Sequence, residues 1–335
     1  MNIIYFIAMI VLFPLNTLLF FPANIPQEKS ITVTQDEEIQ GAEKLREDQL
    51  FSENFFPASQ FKPVKKEGMP NLAVPNAHAA IILDVDSGTI LYDQNGNEQR
   101  QIASLTKMMT AVLTLEKVKN LDEEAAVSAA AVYIDGTKVG CPRSGYCPGQ
   151  RFRVGEKVAV RDLLKAMLMN SANDAAVALA EHMSGTEEEF VKLMNSKAED
   201  LKLNNSHFCT ASGLEIDGRE SECYSSAYDI ARIAAYAMRY SLIWDIFRLP
   251  NNTTITSTDG TCSHDILNTD IVLNEIPNCL GGKTGFTPLA GRSLMIAASD
   301  ESKKHKIIAV ILDDPYRWQD IRTMISWAFK TYEWQ

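Results

Sequence analysis

Ile102-Ala103-Ser104-Leu105-Thr106-Lys107-Met108-Met109-Thr110 places a hydroxyl three residues before an amine, at the head of an apolar run through Leu105, Met108, Met109, Val112 and Leu115. In a helix, residues three apart share a face, so Ser104 and Lys107 meet one turn apart. A serine hydroxyl is a weak nucleophile until a base lies within hydrogen-bond reach. A lysine serves as that base only when burial and a neighbouring cation lower its pKa. The spacing supplies the reach; the burial and the second cation must come from elsewhere in the chain. One such pair arises roughly once by chance at this length, and Ser59-Gln60-Phe61-Lys62 is a decoy of that kind. It lies between Pro57 and Pro63 with no periodic run behind it, so no stable helix presents its two side chains together. On its own Ser104 also reads as a helix cap and Lys107 as a solvated helix residue, and other clusters have to decide.

Upstream, Ala79-Ala80-Ile81-Ile82-Leu83-Asp84-Val85, the turn Asp86-Ser87-Gly88 and Thr89-Ile90-Leu91-Tyr92 read as a strand hairpin. Downstream, the helix from Ser104 is expected to reach about Lys119, and residues 120 to 155 are turn-rich. Val160 to Met169 has helical apolar spacing, and a second helix is expected from Ala175 to about His182. Between them the polar stretch Asn170-Ser171-Ala172-Asn173-Asp174 reads as a buried turn facing a cavity, with a helix cap by Asn173 or Asp174 as the plainer reading. Glu188 to Leu201 and Ala227 to Tyr240 are further helices, and 251 to 278 are strands and loops. Leu280 to Thr287 is a Gly-bracketed strand, Ser293 to Ala298 and Lys306 to Leu312 are two more, and Arg317 to Tyr332 is a closing helix. Strands from both ends with helices between them predict an α+β fold, an antiparallel sheet carrying a central helical cluster.

The charge balance of −11 argues against nucleic acid as a partner, because no broad basic patch can be assembled. No zinc-type Cys/His spacing, phosphate loop or dinucleotide fingerprint occurs, so neither metal nor cofactor is expected. Ile3 to Ala23 is almost wholly apolar and about long enough to cross a bilayer, which implies export. With no Lys or Arg ahead of it and a poor cleavage site at Phe21-Pro22-Ala23-Asn24, an uncleaved membrane anchor at 1–23 is favoured over a removed signal peptide. Residues 24–75 are charged and Pro-punctuated and read as a tether, leaving 76–335 as the folded domain. An exported chain with six cysteines is expected to form disulfides. The simplest pairing is local: Cys141 with Cys147, Cys209 with Cys223, and Cys262 with Cys279.

Three polar clusters then occur in order: Ser104-x-x-Lys107, Ser171-x-Asn173 and Lys283-Thr284-Gly285. With their flanks Met167-Leu168-Met169-Asn170-Ser171-Ala172-Asn173-Asp174-Ala175-Ala176 and Gly282-Lys283-Thr284-Gly285-Phe286-Thr287, they make residues 76 to 335 resemble the low-molecular-mass penicillin-binding proteins that act as D-alanyl-D-alanine carboxypeptidases. The resemblance implies a β-lactamase/transpeptidase-like fold. It implies an extracytoplasmic serine hydrolase acting on peptidoglycan stem peptides that end in D-Ala-D-Ala, with β-lactams as covalent inhibitors.

In that reading Ser104 attacks, Lys107 is its base, Lys283 is the second amine, Ser171 relays a proton, and Asn173 holds Lys107 or the substrate amide. The oxyanion hole implied by the family uses backbone N–H groups of Ser104 and of Phe286 or its neighbour, beside Gly285. Thr284 is the implied carboxylate contact, and Arg292 is placed to add a guanidinium. His207 also matches a family position, but packing is the favoured role because Ser104 already has a base. The family's usual C-terminal β-rich domain and amphipathic anchor have no counterpart before Gln335, so attachment is expected through the N-terminal segment. Two alternatives are a class A-like β-lactamase and a silent wall-binding sensor. The first lacks its E-x-x-L-N signature, of which Asp200-Leu201-Lys202-Leu203-Asn204 is the nearest approach. Whether water or an amine takes the acyl group is left open by the residues.

Overall fold

The computed structural model describes residues 60–142 and 146–335; the expected anchor at 1–23 and the tether up to residue 59 lie outside them. Among the described residues no helix is long and apolar enough to cross a membrane.

The strands in chain order are β1 Pro63–Lys65, β2 Ala79–Asp84, β3 Ile90–Gln94, β4 Glu124–Ala126, β5 Lys157–Ala159, β6 Thr253–Thr256, β7 Ser263–Ile266, β8 Cys279–Thr287, β9 Gly291–Ser299, β10 Lys306–Leu312 and β11 Tyr332–Trp334. A five-stranded sheet runs β3-β2-β10-β9-β8 with every neighbour antiparallel, so the expected α+β architecture with a sheet from both ends of the chain is present. Its middle strands are apolar at nearly every position because each face meets a separate core. Ile81, Leu83, Met295, Ile308 and Val310 face the helical cluster. Ile82, Leu294, Ile296, Ile307 and Ile311 face the other side.

The helices are α1 Lys107–Lys117, α2 Ala129–Tyr133, α3 Val160–Met169, α4 Asn173–Ser184, α5 Glu187–Asp200, α6 Ala227–Ala237, α7 Ser241–Phe247 and α8 Arg317–Thr331. Helix α8 packs on the second face together with Val74, Ala77, Val272 and Ile276, burying Ile321, Met324, Ile325 and Ala328 at helical spacing. The others, with α3 and α4 at their centre, fill the first. Both central helices are alanine- and leucine-rich and buried almost throughout, which is how the polar turn between them comes to lie inside the protein.

Three expectations are revised. Residues 60–75, assigned to the tether, include β1, which pairs with β11; Val74 is buried, and Trp327 Nε1 donates to Pro70 O at 2.8 Å. Composition missed this because the partner strand lies at the far end of the chain. The helix expected to run to Tyr240 stops at Ala237 and restarts as α7, which buries Ile243, Trp244, Ile246 and Phe247. The Cys262–Cys279 pairing is wrong: both are free thiols, whereas Cys141–Cys147 and Cys209–Cys223 are bonded. Cys262 flanks the separate β6–β7 hairpin, while Cys279 opens β8 of the main sheet, so the two strand-like runs do not pair with each other.

Candidate active site

Ser104 lies in a 3-10 turn, Ala103–Thr106, that feeds α1. Ala103 takes a left-handed φ of +47°, uncommon for a residue with a Cβ and a sign of backbone held by its surroundings. Two glycines hold it. A Cβ on Gly213 would sit 2.0 Å from Ala103 O, and one on Gly285 would sit 2.8 Å from Ile102 O. Thus the 212–214 loop and β8 both close on the turn that carries the serine.

One turn on, Lys107 Nζ lies 2.7 Å from Ser104 Oγ, 2.7 Å from Asn173 Oδ1 and 2.7 Å from the Ser212 carbonyl. Lys107 is fully buried. Burial first, and then the charge of Lys283, holds its amine well below the ordinary lysine range. Asn173 is oriented from behind, its Nδ2 donating to Asp135 O at 2.8 Å, so Oδ1 faces the lysine.

The α3–α4 turn is the buried polar turn expected from sequence, although α4 begins at Asn173 and not at Ala175. Ser171 is nearly buried at a φ of +59° and accepts from Lys283 Nζ at 2.8 Å. Asp174 accepts from Val139 N at 3.1 Å and from Ala175 N at 2.9 Å, which ties the turn to the 135–139 loop. Its carboxyl is pushed up to about 6 by burial. Lys283, on β8, is fully buried, and burial followed by the charge of Arg317 brings its amine down to about 7.

A cleft of about 730 Å³ opens above the two lysines, bordered by Ser104, Ser171, Asn173, Thr284, Phe286 and Arg292 among others. The expected residues are therefore gathered around one space, with Lys107 and Lys283 beneath it. Strand β8 is the sheet edge that flanks the cleft. Gly285 faces the serine turn, and Phe286, cross-strand from Arg292, is 60% exposed. Thr284 Oγ1 lies 2.8 Å from Thr269 Oγ1.

Sequence reasoning missed Ser212, Thr269 and Arg317. A backbone carbonyl such as that of Ser212 leaves no side-chain signal; only Gly213 beside it hints at a close approach. Arg317 looked like the first residue of a terminal helix. It borders the cleft, and its Nη1 donates to Gly285 O at 2.8 Å and to Ser293 O at 2.9 Å. Arg292 is exposed, and among the described residues its side chain makes a 3.4 Å hydrogen bond to Pro315 O. His207 is not among the residues bordering the cleft, and its Nδ1 lies 2.7 Å from Glu222 O.

Residues 66–316 match the family described as D-alanyl-D-alanine carboxypeptidase, Peptidase S11. The chain is 32% identical over 265 residues to the D-alanyl-D-alanine carboxypeptidase DacF of Bacillus subtilis (strain 168), covering 77% of this chain and 63% of that one. It is 30% identical over 275 residues to DacA of Escherichia coli (strain K12), covering 80% of this chain and 64% of the relative. The match thus spans less than two thirds of either relative. Penicillin-binding protein D2 from Listeria monocytogenes, in its ampicillin-bound form, superposes with a TM-score of 0.62 at 29% identity, covering 78% of this chain and all of that one.

Proposed function

Because the chain belongs to the D-alanyl-D-alanine carboxypeptidase family, we propose that it removes the terminal D-alanine of peptidoglycan stem peptides through an acyl-enzyme on Ser104, outside the cytoplasmic membrane and held there by its N-terminal segment. The observation that carries this reading is the environment of the Lys107 amine. Asn173 Oδ1 and the Ser212 carbonyl can only accept hydrogen bonds, and each lies 2.7 Å from Nζ. A neutral amine has two hydrogens. Both are taken there, and the lone pair is left for the Ser104 hydroxyl 2.7 Å away.

The steps follow from that geometry. The Ser104 proton moves to Lys107 as Oγ bonds to the carbonyl carbon of the penultimate D-alanine. Backbone N–H groups of Ser104 and Phe286 receive the oxyanion, a service whose loss typically costs ~10²–10³ in rate. The C–N bond breaks as Ser171, bonded to Lys283, passes a proton to the departing amine. One proton passes from Lys107 back to Lys283 through the solvent of the cleft, restoring the neutral and the protonated amine; water then attacks the ester, Lys107 takes its proton, and that proton goes to the Ser104 oxygen as the acyl–oxygen bond breaks. The terminal carboxylate is received at Thr284, with Arg317 beside it as the better-anchored guanidinium and Arg292 outside it.

Among the described residues bordering the cleft there is no Asp or Glu, and Asp200 ends α5 at the surface, so none of those residues is placed to activate a water as in a class A β-lactamase. A β-lactam ester on Ser104 is therefore long-lived. The deciding measurement is D-alanine release from a stem pentapeptide by the full chain and by its Ser104→Ala variant. Release by wild type alone supports the proposal; equal release by both ends it.

A further inference from the structure

Lys283 and Arg317 bring two positive charges to one part of β8, and among the described residues bordering the cleft there is no carboxylate to balance them. The strand carbonyls that hold Arg317 accept its hydrogens but carry no net charge. The balancing group stands behind the strand. Asp270, in the loop from β7 to β8, is only 6% exposed. Its Oδ1 accepts from Val272 N at 2.9 Å, whereas Oδ2 is buried with no hydrogen-bond partner among the described residues. That oxygen lies against Gly282, where a Cβ would sit 2.9 Å from it and 2.2 Å from Ile296 Cδ1. Gly282 thus turns toward the core under α8, to which Ile296 belongs, and Lys283, one residue on, turns to the cleft side. The loop is pinned there by Asp270 N donating to Asn268 Oδ1 at 2.9 Å, by Thr269 N donating to Met169 O at 3.0 Å and by the Thr269–Thr284 hydroxyl pair.

A buried carboxylate oxygen without a hydrogen bond persists where cations offset its lost hydration. The charged groups facing Lys283 are Lys107 from α1, Arg317 from α8 and Asp270. Those facing Asp270 are Lys283, Arg317 and the Cys279 thiol at the start of β8, which burial and then Asp270 push up to about 12. Arg317 in turn faces Arg292 on β9 and Asp314. Of the three groups facing Lys283, Asp270 alone is negative. Burial pushes its carboxyl up to about 6, so it is ionised where the amine titrates, at about 7.

We propose that Asp270 is a positioning residue that acts through Lys283, as the buried counter-charge behind β8 to the Lys283 ammonium and the Arg317 guanidinium. The inference rests on the carboxypeptidase reading, in which Lys283 supplies a proton through Ser171. Asp270 does not border the cleft, so its part is to hold the charge of a neighbour and not to touch substrate.

The test follows kcat/KM for D-alanine release from a stem pentapeptide against pH, with the full chain and its D270N variant. Asparagine keeps the shape and the acceptor for Val272 N and removes the charge. The alkaline limb is expected about one pH unit lower in D270N, the low end of what a nearby opposite charge does. The variant then runs at about one tenth of the wild-type rate near pH 8 and within about twofold near pH 5.5, where Asp270 is protonated in wild type too. An even loss at every pH, the mark of a merely structural role, overturns the inference, as does an unmoved limb. A second readout needs no Asp270 variant to fold. In wild type carrying ¹³C-labelled lysine, the Lys283 signal, identified by its loss in K283M, is expected to inflect near 6 and again near 7; a single inflection overturns the inference. Failure of wild type to release D-alanine at any pH overturns the carboxypeptidase reading itself, a result distinct from release with matching limbs.

Discussion

Lys283 Nζ lies 2.8 Å from Ser171 Oγ, repeating across the cleft the 2.7 Å pairing of Lys107 with Ser104. Two buried amines each hold one hydroxyl, and the cleft opens between them. Because each amine lies in a dry setting and the first also feels the charge of the second, the pair favours one proton over two.

Lys107→Ala is expected to slow penicillin acylation of Ser104 by about 10²–10⁴, the usual span for losing a general base. Ser104→Ala is expected to give no adduct. Intact-protein mass spectrometry after timed exposure to penicillin reads both. A Lys107→Ala variant acylated at the wild-type rate would remove lysine from its assigned role.

The pH profile follows from the sign of each shift. Lys107 works as the neutral amine, whose pKa burial has lowered, so acylation rises with pH through that lowered value. Lys283 supplies a proton through Ser171, and its protonated form is lost above about 7. A bell with its alkaline limb near that pH is expected in kcat/KM for the peptide, and Lys283→Met should flatten that limb while lowering the whole curve. Stability moves the opposite way over this range. Lys283 binds its proton more weakly folded than unfolded, so between about 7 and the ordinary lysine value of 10.5 the unfolded chain holds more protons and stability rises with pH. Urea titrations across that range should show less of this rise in Lys283→Met.

Gly213→Ala forces a Cβ to within 2.0 Å of Ala103 O at a φ of +81°. The loop must retreat from the serine turn, taking the Ser212 carbonyl off Lys107. Strain at such a position costs about 1–3 kcal/mol, and a fall of at least about 10² in acylation is expected alongside a lower melting temperature. Full acylation in a destabilised variant would separate the loop from the chemistry.

Removing the Cys209–Cys223 bond by double substitution to Ala should cost about 3 kcal/mol, as expected for a loop of this length. Sequence separation across it is 14 residues, and the loop it closes contains Ser212, so acylation should fall with stability. Alkylation of the unfolded, unreduced chain should label Cys262 and Cys279 and no other cysteine.

Arg317→Ala is expected to reduce kcat/KM for the peptide by about 10²-fold and Arg292→Ala by only a few-fold. The first guanidinium is fixed by two strand carbonyls, the second only at 3.4 Å. The reverse order would place carboxylate recognition at Arg292.

What could be read ahead of the structure was what short-range chemistry encodes. The hairpin around Asp86-Ser87-Gly88, the buried turn between α3 and α4, and the three polar clusters each announce themselves by spacing or by turn residues. The Ser212 carbonyl does not, because every residue has one and only tertiary closure selects it. Arg317 likewise gains meaning only when α8 brings its first turn against β8 and β9. The pairing of Pro63–Lys65 with Tyr332–Trp334 joins segments some 270 residues apart, beyond the reach of any local pattern. Cys262 and Cys279 misled for the converse reason: closeness in sequence did not put them on partnered strands.

That short ladder between Pro63–Lys65 and Tyr332–Trp334 has a mechanical side. Tyr332 and Trp334 pack with the core under α8, on the far face of the sheet from the serine turn. A pull on the chain ahead of Pro63 is met first by the Lys62–Gln335 backbone pair and then by these three, on the face of the sheet opposite the nucleophile.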